Sequence, residues 1–150
     1  MRKLFIPLGL ALLVAVAAVG PVSASSRLQP VTIDIHSTFA SPEGAFTATS
    51  PVCGSGSTSD NVKIFSKGNR LFFDDLKTFA CADGSGTFTL WVLATVNGCE
   101  PTDRGIWTVI GGTGLYRQLH GAGIGVGTYF PGDSCSADGI NDHFTGVMTR

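Results

Sequence analysis

Charge is scarce in this sequence. Lysine, arginine, aspartate and glutamate make up 14% of its 150 residues, and the formal net charge is −1. A chain so close to neutral lacks the basic surface that grips phosphates, so no nucleic-acid partner is expected. The apolar content of 43% is too high for a disordered chain. Helical periodicity is missing as well. No stretch of ten or more residues repeats its apolar positions every three to four, and residues 115–119 leave room for one turn at most. G-x-S-x-G, a P-loop and H-E-x-x-H are absent. Gly132-Asp133-Ser134-Cys135 contains the G-D-S of one esterase family. There, however, the motif opens an α/β sheet, and here it falls late in a strand-rich chain.

Only one long apolar run exists. It covers residues 4–19, follows Arg2 and Lys3, is broken by Pro7 and Gly9, and ends before Gly20-Pro21. A membrane-spanning helix needs about 20 apolar residues. A basic start, an apolar middle and the small residues of Val22-Ser23-Ala24 instead match a signal peptide cleaved after Ala24. Residues 1–24 are thus expected to be a leader and 25–150 a single exported domain, with no membrane span after cleavage. Losing Arg2 and Lys3 leaves eight basic against eleven acidic residues, a net charge of −3.

Close cysteine pairs are missing too. Cys53, Cys81, Cys99 and Cys135 are separated by 28, 18 and 36 positions, unlike the C-x-x-C pairs of a zinc site. An even count in an exported chain indicates two disulfides, for which three connectivities exist.

Strands dominate what is present. In residues 31–39, Val31, Ile33, Ile35 and Phe39 share one face, while Thr32, Asp34, His36 and Thr38 share the other. This alternation marks a half-buried strand. Further strands are expected at 45–49, 62–65, 71–79, 87–96, 106–110, 122–130 and 143–149. Residues 53–60, 97–105 and 131–142 read as loops. Eight closely spaced strands indicate an all-β sandwich or barrel. Gly121, Gly123, Gly125 and Gly127 leave one strand face without side chains. Such a face suits a sharply coiled strand, bulky neighbours such as Trp91 or Trp107 filling the space, or a ligand lying on it.

One long motif joins these pieces. After Cys81-Ala82-Asp83-Gly84-Ser85-Gly86-Thr87-Phe88 comes Gly105-Ile106-Trp107-Thr108-Val109, then Gly111-Gly112-Thr113-Gly114-Leu115-Tyr116 and Leu119-His120-Gly121-Ala122-Gly123. The pattern G-x-W-x-V-x-G-G-T-G-x-Y-x-x-L-x-G-x-G resembles small secreted bacterial proteins of the allene oxide cyclase barrel-like class, fold relatives of plant dirigent proteins. The likeness is clear over residues 81–147 and rests on strand pattern alone over 31–67. It implies a closed antiparallel barrel of about eight strands with a central cavity, in which Gly112 and Gly114 shape a turn and Trp107 and Tyr116 pack. In the plant cyclases such a cavity guides ring closure of a fatty-acid epoxide, and in dirigent proteins it steers the coupling of phenolic radicals. The cyclases' catalytic positions are not matched residue by residue in this chain and none is carried over, so the resemblance implies a fold and not an activity.

Asp34 and His36 share a strand face and have the chemistry for acid–base work, but a strand whose other face is apolar presents this one to solvent. His120 sits at a turn, and His143 follows Asp142. Asp133, Asp138, Asn141 and Asp142, with Glu100 and Asp103, have oxygen ligands of the type calcium takes, without EF-hand spacing. Turn chemistry accounts for them, and no metal or cofactor is expected.

An up-and-down meander fixes the pairing of the cysteines. Counting strand directions outward from the Gly111–Gly114 turn puts Cys53 and Cys81 at that end, and Cys99 and Cys135 at the other. Disulfide Cα atoms lie within about 7 Å, so the expected bonds are Cys53–Cys81 and Cys99–Cys135. The function expected from these features is non-catalytic binding, outside the cell, of a small apolar or aromatic molecule or a surface partner. A cavity-based isomerase or cyclase and a structural module with a filled core are the alternatives. An enzyme would need a buried carboxylate or histidine on the cavity wall. Aromatic residues expected at a cavity or its mouth are Phe88, Trp91, Trp107 and Tyr129.

Overall fold

The computed structural model describes residues 27–41 and 43–150; the expected leader and its cleavage site lie outside the described residues. Eight strands follow one another around a closed antiparallel barrel in sequence order. They are β1 (Gln29–Thr38), β2 (Glu43–Ala48), β3 (Ser55–Lys67), β4 (Arg70–Cys81), β5 (Thr87–Asn97), β6 (Thr102–Gly112), β7 (His120–Phe130) and β8 (Gly139–Thr149). A single 3-10 turn, Gly114–Tyr116, links β6 to β7. Closure through the β1–β8 ladder, from Gln29↔Met148 to Thr38↔Gly139, removes the free edges that an open sheet would expose.

Three loop assignments are corrected. Residues 55–60 belong to β3, Thr102 to Gly105 to β6, and Gly139 to Asp142 to β8. Glycine, serine and aspartate have low strand propensity, but here ladders on both sides hold them extended. Gly56, for example, pairs with Phe46 on β2 and Cys81 on β4. No side chain would fit at Gly56, because a Cβ would meet the Phe46 ring and the Ala80 carbonyl.

The end of the barrel nearest the 3-10 turn is filled. Phe79 and Phe88 stack with centroids 4.5 Å apart, Phe46 meets Phe79 edge-on at 5.1 Å, and Tyr116 closes over Phe88 at 5.6 Å. Each buried ring of this kind contributes about 1.5–3 kcal/mol by leaving water. Tyr116 reaches this position because Gly114 takes φ +57°. A Cβ at Gly114 would also strike the Ser85 carbonyl.

The glycine face of β7 points inward, and side chains of the adjacent strands occupy it. Trp107 lies over Gly123 and Gly146, Phe144 over Gly125, and Ile140 with Asp103 over Gly127. Trp107 is 2% exposed, and its indole N–H donates to the Ile124 carbonyl at 3.1 Å. Trp91 does not share in this filling. It lies on the opposite face of β5 from the buried Leu90 and Val92, and its N–H donates to Asp74 at 2.7 Å.

Both disulfides join the pairs that strand direction requires. Cys53–Cys81 and Cys99–Cys135 have Cα separations of 5.9 and 5.2 Å, at opposite ends of the barrel. Two such bonds place the chain in an oxidising, non-cytoplasmic environment. Among the described residues, no helix is long and apolar enough to cross a membrane.

Candidate functional site in the barrel lumen

β2 is half the length of its neighbour. Its ladder to β3 ends at Glu43↔Ser59, while β3 runs on to Lys67 paired with β4 alone. Val62 and Ile64 therefore remain exposed although they line the lumen. Behind this gap lies a cavity of about 480 Å³, within the size range of small-molecule sites. Apolar walls come from Val62 and Ile64 on β3, Leu71 and Phe73 on β4, and Val92 and Ala94 on β5. Gly105 and Gly125 complete the wall formed by β6 and β7, where Ala94 and Phe144 pack against them.

A polar layer crosses the lumen between this cavity and the aromatic plug. Lys77 is 4% exposed. Its Nζ lies 2.7 Å from Asp60 Oδ1, 3.5 Å from Asp142 Oδ2 and 3.7 Å from Asp75 Oδ2. Burial works against the charge of Lys77, but Asp142, Asp60 and Asp75 outweigh it and hold the pKa above the usual lysine value. Burial pushes Asp75 up to about 6 against the pull of Lys77, and it does the same to Asp142. Asp103 completes the layer. It accepts hydrogen bonds from the Tyr129 hydroxyl at 2.9 Å and the Gly127 N–H at 3.1 Å. Burial raises its pKa in spite of these bonds. The Tyr129 phenol is also raised, by burial and then by the adjacent Asp103, so it stays a donor. The layer can hold a polar substituent, and Asp75 and Asp142 can exchange protons near pH 6.

The aromatic residues singled out from the sequence scatter. Tyr129 lines the cavity. Phe88 belongs to the plug, Trp107 fills the glycine face, and Trp91 is on the outside of the barrel. Asp34 and His36 stay apart from the lumen. Asp34 pairs with His143 at 2.6 Å with both side chains more than half exposed, while His36 meets Asn141 at 2.8 Å and stacks on Phe130. The acids considered for calcium separate. Asp133 accepts hydrogen bonds from the backbone N–H groups of Cys135 and Ser136, while Asp103 and Asp142 face the lumen. Among the described residues, no group of three or more potential ligands is arranged to hold a metal ion.

Asp60, Asp75 and Lys77 escaped the sequence reading. A usable signal existed, because Leu71, Phe73, Asp75, Lys77 and Phe79 fall on one face of β4. Phe72 and Leu76 on the other face made that choice of face ambiguous. Comparisons of the chain with protein-family models, curated proteins and solved structures give no match.

Proposed function

We propose that this chain is an exported binding protein that holds a small molecule with an apolar or aromatic body inside its barrel. The observation carrying this reading is the cavity itself, apolar on several walls and ending on one buried polar layer. Concave apolar sites with a few convergent polar groups are the usual form of small-molecule sites. Export is supported by the leader-like residues 1–24 and by the two disulfides. The resemblance to the allene oxide cyclase and dirigent class supports a ligand-bearing lumen.

N-phenyl-1-naphthylamine, a neutral probe that brightens in apolar surroundings, tests the reading. Saturable one-to-one brightening is expected, and Ala94→Phe, which fills the cavity, should abolish it in a protein that still melts cooperatively. No saturable signal from the folded protein, or a signal indifferent to Ala94→Phe, would exclude the lumen as the site.

A cavity-based isomerase or cyclase is the second reading. Asp75 and Asp142 favour it, because carboxyl groups on a cavity wall that titrate near 6 suit general acid–base work. Turnover of any bound compound, lost in Asp142→Asn while the compound still binds, distinguishes it from simple binding.

A further inference from the structure

The lumen's polar layer is not electrically balanced. Lys77 is the one cationic side chain lining the cavity among the described residues, against Asp60, Asp75, Asp103 and Asp142 in the layer and the exposed Glu43. Lys77 sits closest to Asp60, and Asp103 is held by Tyr129 and Gly127. Asp75 keeps one backbone hydrogen bond, from the Asn61 N–H at 3.1 Å, and Asp142 has Lys77 at 3.5 Å. Buried carboxylates in excess of their counter-ions are costly unless a cation joins them or protons neutralise them.

A second observation, independent of charge, marks the same place. Ser37 on β1 lines the cavity and is 7% exposed. Its hydroxyl is buried with no hydrogen-bond partner among the described residues. It stands one diagonal step from Asp142, since Ile35 is opposite Asp142 and Ser37 opposite Ile140. The hydroxyl lies over Gly44 beside the equally unpaired Thr58 hydroxyl. Buried polar groups are almost always satisfied, and a turn of the Ser37 side chain toward the cavity lets a bound molecule supply the partner.

Building on the small-molecule reading of the cavity, we propose that its ligand is a cationic amphiphile. A protonated amine lies against Asp142, Asp75 and the Ser37 hydroxyl, and an apolar body extends along Val62, Ile64 and Phe73 to the gap beside β3. An ammonium group has three donors and no acceptor. Two carboxylates and a hydroxyl oxygen match it, and it supplies the missing positive charge. An anionic head would meet four carboxylates for one lysine.

Three probes with the same body, 4-phenylbutylamine, 4-phenylbutanol and 4-phenylbutyrate, test this by calorimetry at pH 8. The amine should bind about ten-fold or more tighter than the alcohol, the scale of one charge-assisted hydrogen bond, and the carboxylate weakest. Asp142→Asn and, separately, Asp75→Asn should each lower the amine-to-alcohol ratio several-fold. Unmutated protein provides a check that needs no variant. Asp142 of β8 is faced by Lys77 of β4, Asp60 of β3, Asp103 of β6 and Tyr129 of β7. As Asp142 and Asp75 gain protons, the amine's advantage should shrink between pH 8 and pH 5 while the amine itself stays charged. Alcohol binding equal to amine binding would overturn the cationic ligand and leave the small-molecule reading standing. Tighter binding of the carboxylate would overturn it in favour of an anion on Lys77. Failure of all three, together with the neutral naphthylamine probe, would remove both readings.

Discussion

Lys77 Nζ and Asp142 Oδ2 lie 3.5 Å apart across the lumen, on strands four places apart in a ring of eight. The ion pair therefore ties opposite walls of the barrel, whereas each backbone ladder ties only neighbours. Its contribution depends on the carboxylates around it, because Lys77 is the shared counter-ion of Asp60, Asp75 and Asp142.

Replacing Lys77 by methionine keeps most of the side-chain volume and strands the three acids. The expected loss at pH 7.5 is about 3–5 kcal/mol, typical of breaking a buried ion pair from one side. At pH 5 the loss should be smaller, since protonated Asp75 and Asp142 need no counter-ion. Urea denaturation at both pH values measures this, and equal losses would assign the cost to packing.

The two raised carboxyl groups also set how overall stability varies with pH. Asp75 and Asp142 titrate near 6 in the folded chain against an ordinary 3.8. The native state therefore binds more protons than the unfolded state between these values. Their contribution is fully present below about pH 4 and is lost as pH rises through 6. The melting temperature should fall from pH 4.5 to pH 7.5, with a shallower fall in Asp142→Asn. A melting temperature that rises over this range would contradict the placement of these acids.

Glycines of similar sequence context should respond differently to alanine. Gly123 faces the Trp107 ring and the Thr145 carbonyl, whereas Gly111 has no atom within 4 Å of an added Cβ. Gly123→Ala should cost about 1–3 kcal/mol through overpacking, and Gly111→Ala should be close to neutral. Thermal melts of the two variants side by side give the comparison.

The two disulfides close 28 and 36 positions of sequence. Replacing either pair by serine should cost about 3–4 kcal/mol in the chain-entropy account. Non-reducing peptide mapping of the unmutated protein should return Cys53–Cys81 and Cys99–Cys135. Any peptide joining Cys81 to Cys135 would refute the strand order.

Strand direction was legible without coordinates because it depends only on counting connections. That is why the cysteine pairing follows from sequence, and why Asp34 and His36, opposite Ile33 and Ile35, are correctly placed outside. The lumen's chemistry was harder to read. Asp103 and Asp142 sit in the polar first turns of β6 and β8, where low strand propensity imitates a loop and tertiary ladders override it. Asp75 and Lys77 lie in a strand apolar on both faces, so alternation does not say which side turns inward. Trp91 and Trp107 are alike by residue type. What separates them is that Trp107 faces two glycines across adjacent strands, a relationship that requires the register.

The short β2 has a consequence for how the barrel opens in time. Residues 60–67 form the longest stretch of β3 without a partner on one side, paired with β4 alone. Apart from the Asn61 N–H, which Asp75 accepts, amide protons there that point toward the missing partner have no ladder acceptor in an exposed segment, so they exchange on the timescale of local fluctuation and not of global unfolding. The wall of the cavity is thus its least cooperative part. Opening of the lumen needs only this segment to breathe, while the aromatic plug at the far end keeps the barrel closed.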